Sequence, residues 1–298
     1  MPKKFPTPAW YFLILATAML NSCSSHYKFV DFWSGQYSKD LGMPEAALSD
    51  MEKQQLQEIR KRGDELITYA NIYREAEQEF RESYAKWNRT QVTQDWVLLI
   101  ENGSPKAFFG SLKDTVFSIH YRLEWDGDAY DIVARDTSIS NASQAMRLKS
   151  QMLQSQSEYV KKYHPKTMSI VLQNQNILEA YLIPQTKDDG EMIYGGALKG
   201  VYDTQSQTLQ VDTLHRSSVV LNISTAEDRP HAGPLMTLHE SGPSKLYNEV
   251  DYLQFTQYAP IAMAQYMILK NYPRVVAYWY KADEEPSLLI LQDKTRTE

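Results

Sequence analysis

Cys23 is the only cysteine among 298 residues, and that limits how the chain can hold its shape. No intramolecular disulfide can form, so any fold must rest on buried apolar surface and hydrogen bonds. A Cys-rich zinc knot is excluded, and beyond position 23 the chain has no thiolate nucleophile. Hydrophobic residues make up 43% and charged residues 23%, which suits a core in one large domain or two small ones. Twenty Tyr and six Trp supply ring area with a polar edge, useful in sheets and at interfaces.

Residues 1–22 place Lys3 and Lys4 ahead of an apolar run from Trp10 to Leu20, broken only by Thr17, and then Asn21 and Ser22. The run is shorter than the roughly 20 residues needed to span a bilayer and matches a signal-peptide core of roughly 7–15. Leu20-Asn21-Ser22-Cys23 resembles a bacterial lipobox, with an aliphatic residue, a small residue next to the Cys, and the Cys itself; Asn21 is a less usual choice. The resemblance implies a lipoprotein signal peptide over 1–22, removed so that Cys23 becomes the acylated (palmitate-bearing) first residue. Ser24 rather than Asp after the Cys resembles lipoproteins sent to the outer membrane, which implies a lipid-anchored protein of the cell envelope facing the periplasm. The alternative is a stray thiol behind an ordinary secretory signal.

The chain carries −6, and loss of a leader holding two lysines and no acid would leave −8. That balance argues against nucleic-acid binding, which needs clustered Lys and Arg to displace counterions. It argues equally against a polybasic hold on anionic lipid.

After the leader, residues 23–43 read as the acylated Cys and a tether. Its aromatics Tyr27, Phe29, Phe32, Trp33 and Tyr37 dock on the body or sit at the headgroup level. Residues 44–90 hold one long helix, with Pro44 suited to a first turn and Ser49 with Glu52 forming a capping-box pattern. Leu56, Ile59, Leu66, Ala70, Tyr73, Phe80, Tyr84 and Trp87 form a seam of period 3.5, with Gly63 and Glu77 filling its gaps. Such a seam packs on its own domain or forms a coiled-coil contact, with another copy or a protein partner, through the residue 56–87 helix.

Residues 91–298 read as an α+β body, with a possible sub-boundary near 165. Period-two stretches over 91–135, punctuated by Asn102-Gly103-Ser104-Pro105 and Asp126-Gly127, predict an antiparallel meander with one wet face that carries His120. A second helix is expected over about 142–163. A second, mostly antiparallel sheet follows, with a single strand over Met192–Tyr202, another over Pro234–His239, and a short helix near 244–257. Gly195-Gly196 and Gly200 fall inside a strand and mark a bulge or close packing. The order of elements is α+β rather than regular alternation, and no internal repeat is visible.

The chemistry-bearing motifs are few. No Walker loop, Gly-x-Ser-x-Gly elbow or His-Glu-x-x-His occurs, since His239-Glu240 runs into Ser241-Gly242-Pro243. His215, His231 and His239 share one region with Glu240 and Asp251, and zinc needs three or four converging ligands. Over residues 177–281 the chain resembles the JAB/MPN metal-dependent hydrolases, which carry a His-x-His strand, a Ser-x-x-Asp helix start and an upstream Glu. Thr237-Leu238-His239 stands where His-x-His would be, and Asn248-Glu249-Val250-Asp251 stands where Ser-x-x-Asp would be, one residue further on. Glu179 is the candidate upstream acid. The resemblance implies a Zn site on His239 and Asp251 with His215, His231 or Glu179 as a third ligand. Thr237 in place of the first His removes one ligand, and Asn248 in place of Ser is a second departure from the pattern.

These readings give two expectations. The first is a membrane-anchored lipoprotein whose body is a non-enzymatic binding or assembly module with no cofactor. The second is a degenerate or active metal-dependent hydrolase centred on His239 and Asp251.

Overall fold

Ser49 opens the first helix in the way its sequence predicts. Its N–H and Oγ reach Glu52 Oε2 at 2.9 and 2.7 Å, while Glu52 N–H returns to Ser49 Oγ at 3.4 Å, which satisfies two backbone donors of the first turn. Helix α1 therefore spans Asp50–Tyr84 and does not begin at Pro44. Met43–Pro44 instead forms a short strand, β1, against Leu289 and Ile290, an edge position that tolerates a missing N–H. The computed structural model describes residues 43–44, 48–84, 95–113, 116–125, 130–133, 140–156, 158, 161, 166–185, 191–215, 218–222, 246–258, 266–271, 274–279 and 287–293. All of them fall in one compact unit, Gly42–Glu298. Cys23, the leader and the tether aromatics lie outside the described residues.

A meander follows α1: β2 (Asp95–Glu101), β3 (Ser104–Lys113), β4 (Val116–Trp125) and β5 (Tyr130–Val133). Asn102 and Gly103 join β2 to β3, both at positive φ, 53° and 81°, the geometry of a tight hairpin whose twist suits its strands. Helix α2 (Ser140–Ser155) comes next. Then come β6 (Thr167–Asn174), β7 (Ile177–Pro184), β8 (Glu191–Gly195), β9 (Leu198–Asp203), β10 (Thr208–Thr213) and β11 (Ser218–Asn222). Helix α3 (Glu249–Tyr258) precedes β12 (Tyr266–Asn271), β13 (Arg274–Trp279) and β14 (Ser287–Asp293). The protein is a mixed α+β fold.

The two sheets expected on either side of α2 are one. Eight strands run in the order β10-β9-β7-β6-β2-β3-β4-β5. Every pairing in it is antiparallel except the central β2–β6 pair. Helix α1 with β2–β5, and α2 with β6, β7, β9 and β10, are thus two helix-plus-meander halves joined through parallel first strands. This topological repeat leaves no trace in the sequence. The remaining strands form a pair, β11-β8, and a four-stranded sheet, β1-β14-β13-β12.

The helices cover opposite faces. Leu98 and Ile100 of β2 pack with Leu66, Ala70 and Tyr73 of α1, while Val97 and Leu99 pack with Ala145, Met146 and Met152 of α2. Because the central strands are buried on both faces, they read as continuous apolar runs. On α1, Leu56, Ile59, Leu66, Ala70 and Tyr73 are all buried. Those five seam residues lie inside the molecule, each buried Leu contributing about 1.5–3 kcal/mol; Trp87 and the Tyr84 side chain lie outside the described residues. Glu77, the polar gap in the seam, sits at the rim with Arg81 and Lys166 at 2.8 and 3.4 Å, while Ala76 takes the buried position.

Two further expectations change. β4 gains an extra residue where its register steps from Phe109↔Tyr121 to Gly110↔Ile119, and His120 is that residue. The bulge switches faces, so Phe117 and Ile119 meet the α2 core while Tyr121 and Leu123 meet the α1 core. Met192–Tyr202 is two strands, not one, because Gly195 and Gly196 take φ of 85° and 71° and break the ladder. Gly200 is packed closely: a Cβ there would lie 2.5 Å from Met152 Sδ.

Candidate functional site

Helix α3 gathers most of the buried polar groups. Asn248 caps it: Oδ1 accepts from the N–H groups of Val250 and Asp251 at 2.9 and 3.0 Å. Asp251 Oδ2 accepts in return from Asn248 N–H at 2.9 Å. This is a capping box built from Asn and Asp. The Asn248-x-x-Asp251 spacing that resembles a metal-ligand motif is thus accounted for by helix initiation.

Asp251 Oδ1 accepts from His215 Nε2 at 3.0 Å, and both side chains are fully buried. His215 Nδ1 accepts from Ala197 N–H at 3.3 Å. A ring nitrogen that accepts carries a lone pair, so the hydrogen-bond pattern assigns the tautomer with its proton on Nε2, directed at Asp251. Asn248 Nδ2 lies 3.2 Å from the same nitrogen. Both nitrogens of His215 and both oxygens of Asp251 are therefore engaged within the protein.

The structure brings His215 and Asp251 together, as the hydrolase resemblance implies, but as a hydrogen-bonded clamp. As placed, this pair does not fit a zinc site, which needs free lone pairs at about 2.0–2.2 Å. Glu179 belongs to a different cluster. His231 and His239, with the strand expected over Pro234–His239, lie outside the described residues. Among the described residues no group of three His, Cys, Asp or Glu converges on a common point.

The second cluster joins α1, the sheet and α3. Lys199 Nζ lies 3.0 Å from Glu179 Oε1 and 2.8 Å from Glu249 Oε1. Tyr181 OH reaches Glu249 Oε1 at 2.8 Å and also touches Glu179 Oε1. Arg62 Nη2 holds the other oxygen of Glu179 at 3.2 Å, and Lys199 Nζ stands 5.2 Å from the Tyr181 ring centre. Arg62 and Lys199 balance Glu179 and Glu249 in charge. Burial alone would raise the Glu179 carboxyl, but Lys199, the Tyr181 hydroxyl and Arg62 outweigh it and hold it below the ordinary value. Burial would lower Lys199, yet Glu249 and Glu179 raise it. Burial together with the two carboxylates pushes Tyr181 far up, so it stays a neutral phenol. A phenol locked in its protonated form is a hydrogen-bond donor and no general base.

Sequence reasoning missed Arg62, Tyr181, Lys199 and Glu249. Strand parity was the available signal: Glu179 and Tyr181 are two apart in β7, hence on one face, and Lys199 stands opposite Tyr181 in the ladder. Polar bonds continue along α3. Gln254 Oε1 accepts from Gly195 N–H at 3.1 Å, and its Nε2 donates to Ile193 O at 3.2 Å. Arg60 Nε donates to Tyr247 OH at 3.2 Å, and Arg74 Nη2 to Gln257 Oε1 at 2.6 Å.

No family model, no curated protein and no solved structure matches this chain.

Proposed function

We propose that this protein is a membrane-anchored, periplasm-facing lipoprotein whose α+β body is a non-enzymatic binding or assembly module. The observation that carries the reading is the segment Leu20-Asn21-Ser22-Cys23 behind a short apolar run. Support for the non-enzymatic part comes from the polar groups around α3. His215, Asp251, Glu179, Tyr181 and Lys199 bond to one another and to backbone, and none is poised as a nucleophile with a free base beside it. No helix among the described residues is long and apolar enough to cross a membrane, so the anchor in this reading is the lipid on Cys23. Each buried acyl CH₂ contributes about 0.8 kcal/mol, and several chains make release slow.

The test is fractionation without detergent. Wild-type protein sediments with membranes, and the mass of its N-terminal peptide includes acyl groups on Cys23. Cys23→Ala moves to the soluble fraction; a variant that stays membrane-bound would sink the anchoring claim. Metal analysis of the purified protein addresses the hydrolase alternative, because a stoichiometric divalent ion lost in His239→Ala would replace the binding-module reading.

A further inference from the structure

The central strand pair parts at one end. The β2–β6 ladder joins only Leu98–Glu101 to Ile170–Gln173, although β2 begins at Asp95 and β6 at Thr167. Side chains from opposite faces take the carbonyls at this end. Lys149 Nζ of α2 donates to Trp96 O at 2.7 Å, and Tyr73 OH of α1 donates to Thr167 O at 3.4 Å.

Lys149 is in an unusual position. It is 9% exposed, and among the described residues its ammonium has that one acceptor and no carboxylate within 4.0 Å. Asp95 acts on it from further away, with one carboxylate oxygen accepting from Leu112 N–H at 3.2 Å. A buried ammonium with no adjacent counter-charge is costly.

The surrounding groups are donors. Val171 of β6 packs under α2, and strand parity puts Ser169 and Thr167 on the same face. Lys149 and Met152 are three residues apart on one face of α2, and Gln156 follows the helix's last residue, its N–H bonded to Leu153 O at 3.3 Å. Among the described residues Ser169 Oγ, Thr167 Oγ1 and Gln156 Nε2 are buried with no protein partner, and Ser169 and Gln156 are 0% and 5% exposed. One ammonium on α2, an amide NH₂ just past its C-terminal end and two hydroxyls on the facing side of β6 thus lie along one helix–sheet boundary.

We propose that Lys149, Ser169, Thr167 and Gln156 form a binding site for a small monovalent anion where β2 and β6 part. A single negative charge matches the single ammonium, and a dianion would leave an excess beside Asp95. The hydroxyls and the amide donate to the anion, which supplies the counter-charge that Lys149 lacks. The site lies between helix and sheet, which limits the ligand to the size of a halide, nitrate or formate. It is independent of the lipid anchor.

Thermal unfolding of the full chain in detergent tests this, with bromide replacing gluconate at constant ionic strength. Wild type shows a saturable rise in Tm. Lys149→Met shows none. Ser169→Ala binds at least about tenfold more weakly, the effect of one lost hydrogen bond to a charged group. Crystals grown in bromide show an anomalous peak within hydrogen-bonding distance of Lys149 Nζ and Ser169 Oγ. The proposal is overturned by equal shifts in wild type and Lys149→Met, by no shift in wild type, or by a water at that position with bromide elsewhere. Should Lys149→Met fail to fold, Ser169→Ala and the anomalous peak decide.

Discussion

The two helix-plus-meander halves share a plan and differ in what holds them. In the first, α1 docks through rings. Tyr73 stacks on Trp96 at 3.8 Å, Trp96 on Phe109 at 4.8 Å, and Phe80 on Phe109 at 4.0 Å. The second half carries a buried lysine on its helix and the Glu179–Tyr181–Lys199 cluster on its strands, with His215 just beyond β10. For the strand cluster and His215 the cause is α3, which reaches β7, β8, β9 and His215 through polar side chains. One architecture therefore tolerates two kinds of docking. Apolar burial needs only complementary volume, whereas buried polar groups must each find a partner.

The contrast breaks most visibly at Asp251. Asp251→Ala leaves His215 Nε2 and the Asn248 N–H without their acceptor in a fully buried setting. With two buried donors left unsatisfied, urea unfolding is expected to show a loss of about 3–5 kcal/mol; a loss under about 1 kcal/mol would mean that polar bonds do not hold α3.

Next in size is the pH response of Lys149. Burial lowers its folded pKa to about 8 from 10.5. Between those values the unfolded chain keeps a proton that the folded one has released, so stability rises with pH across this window and is lowest below it. The full rise is about 3 kcal/mol in anion-poor buffer. The difference between wild-type and Lys149→Met stability, followed from pH 7 to 11 by chemical denaturation, should trace that rise; a constant difference would refute the prediction.

Smallest is Gly63→Ala in α1. Helix propensity alone predicts a gain of about 1 kcal/mol. A Cβ at Gly63 would lie 2.4 Å from Tyr252 Cδ1, so a net loss of about 1–3 kcal/mol is expected. Tyr252→Leu in the same background should recover part of it, as a double-mutant cycle would reveal.

The first half was the more legible of the two, and Gly63 shows where legibility ends. The apolar seam from Leu56 to Tyr73, the Ser49–Glu52 box and the Asn102-Gly103 turn are local patterns with local causes, and each appears where its spacing puts it. Helix propensity alone marks Gly63 as a weak point of α1, because the side chain that needs its space, Tyr252, lies on α3. The face switch at His120 was hidden for a related reason, since period-two spacing carries no mark of a bulge. In the second half, Arg62 meets Glu179 across 117 positions and His215 meets Asp251 across 36. Residue types named His215, Asp251 and Glu179 as candidates, but only tertiary structure divides them between a helix cap and a charge cluster.

Gln254 has a consequence for the order in which the chain is built. Its amide completes the corner between β8 and β9 by bonding to Gly195 N–H and Ile193 O. Those two backbone groups emerge from the ribosome about 60 residues before Gln254 does. Until α3 arrives they have only water to bond, so the corner is left solvated during synthesis. A side chain from the middle of a late helix thereby completes a corner whose two strands were made long before it.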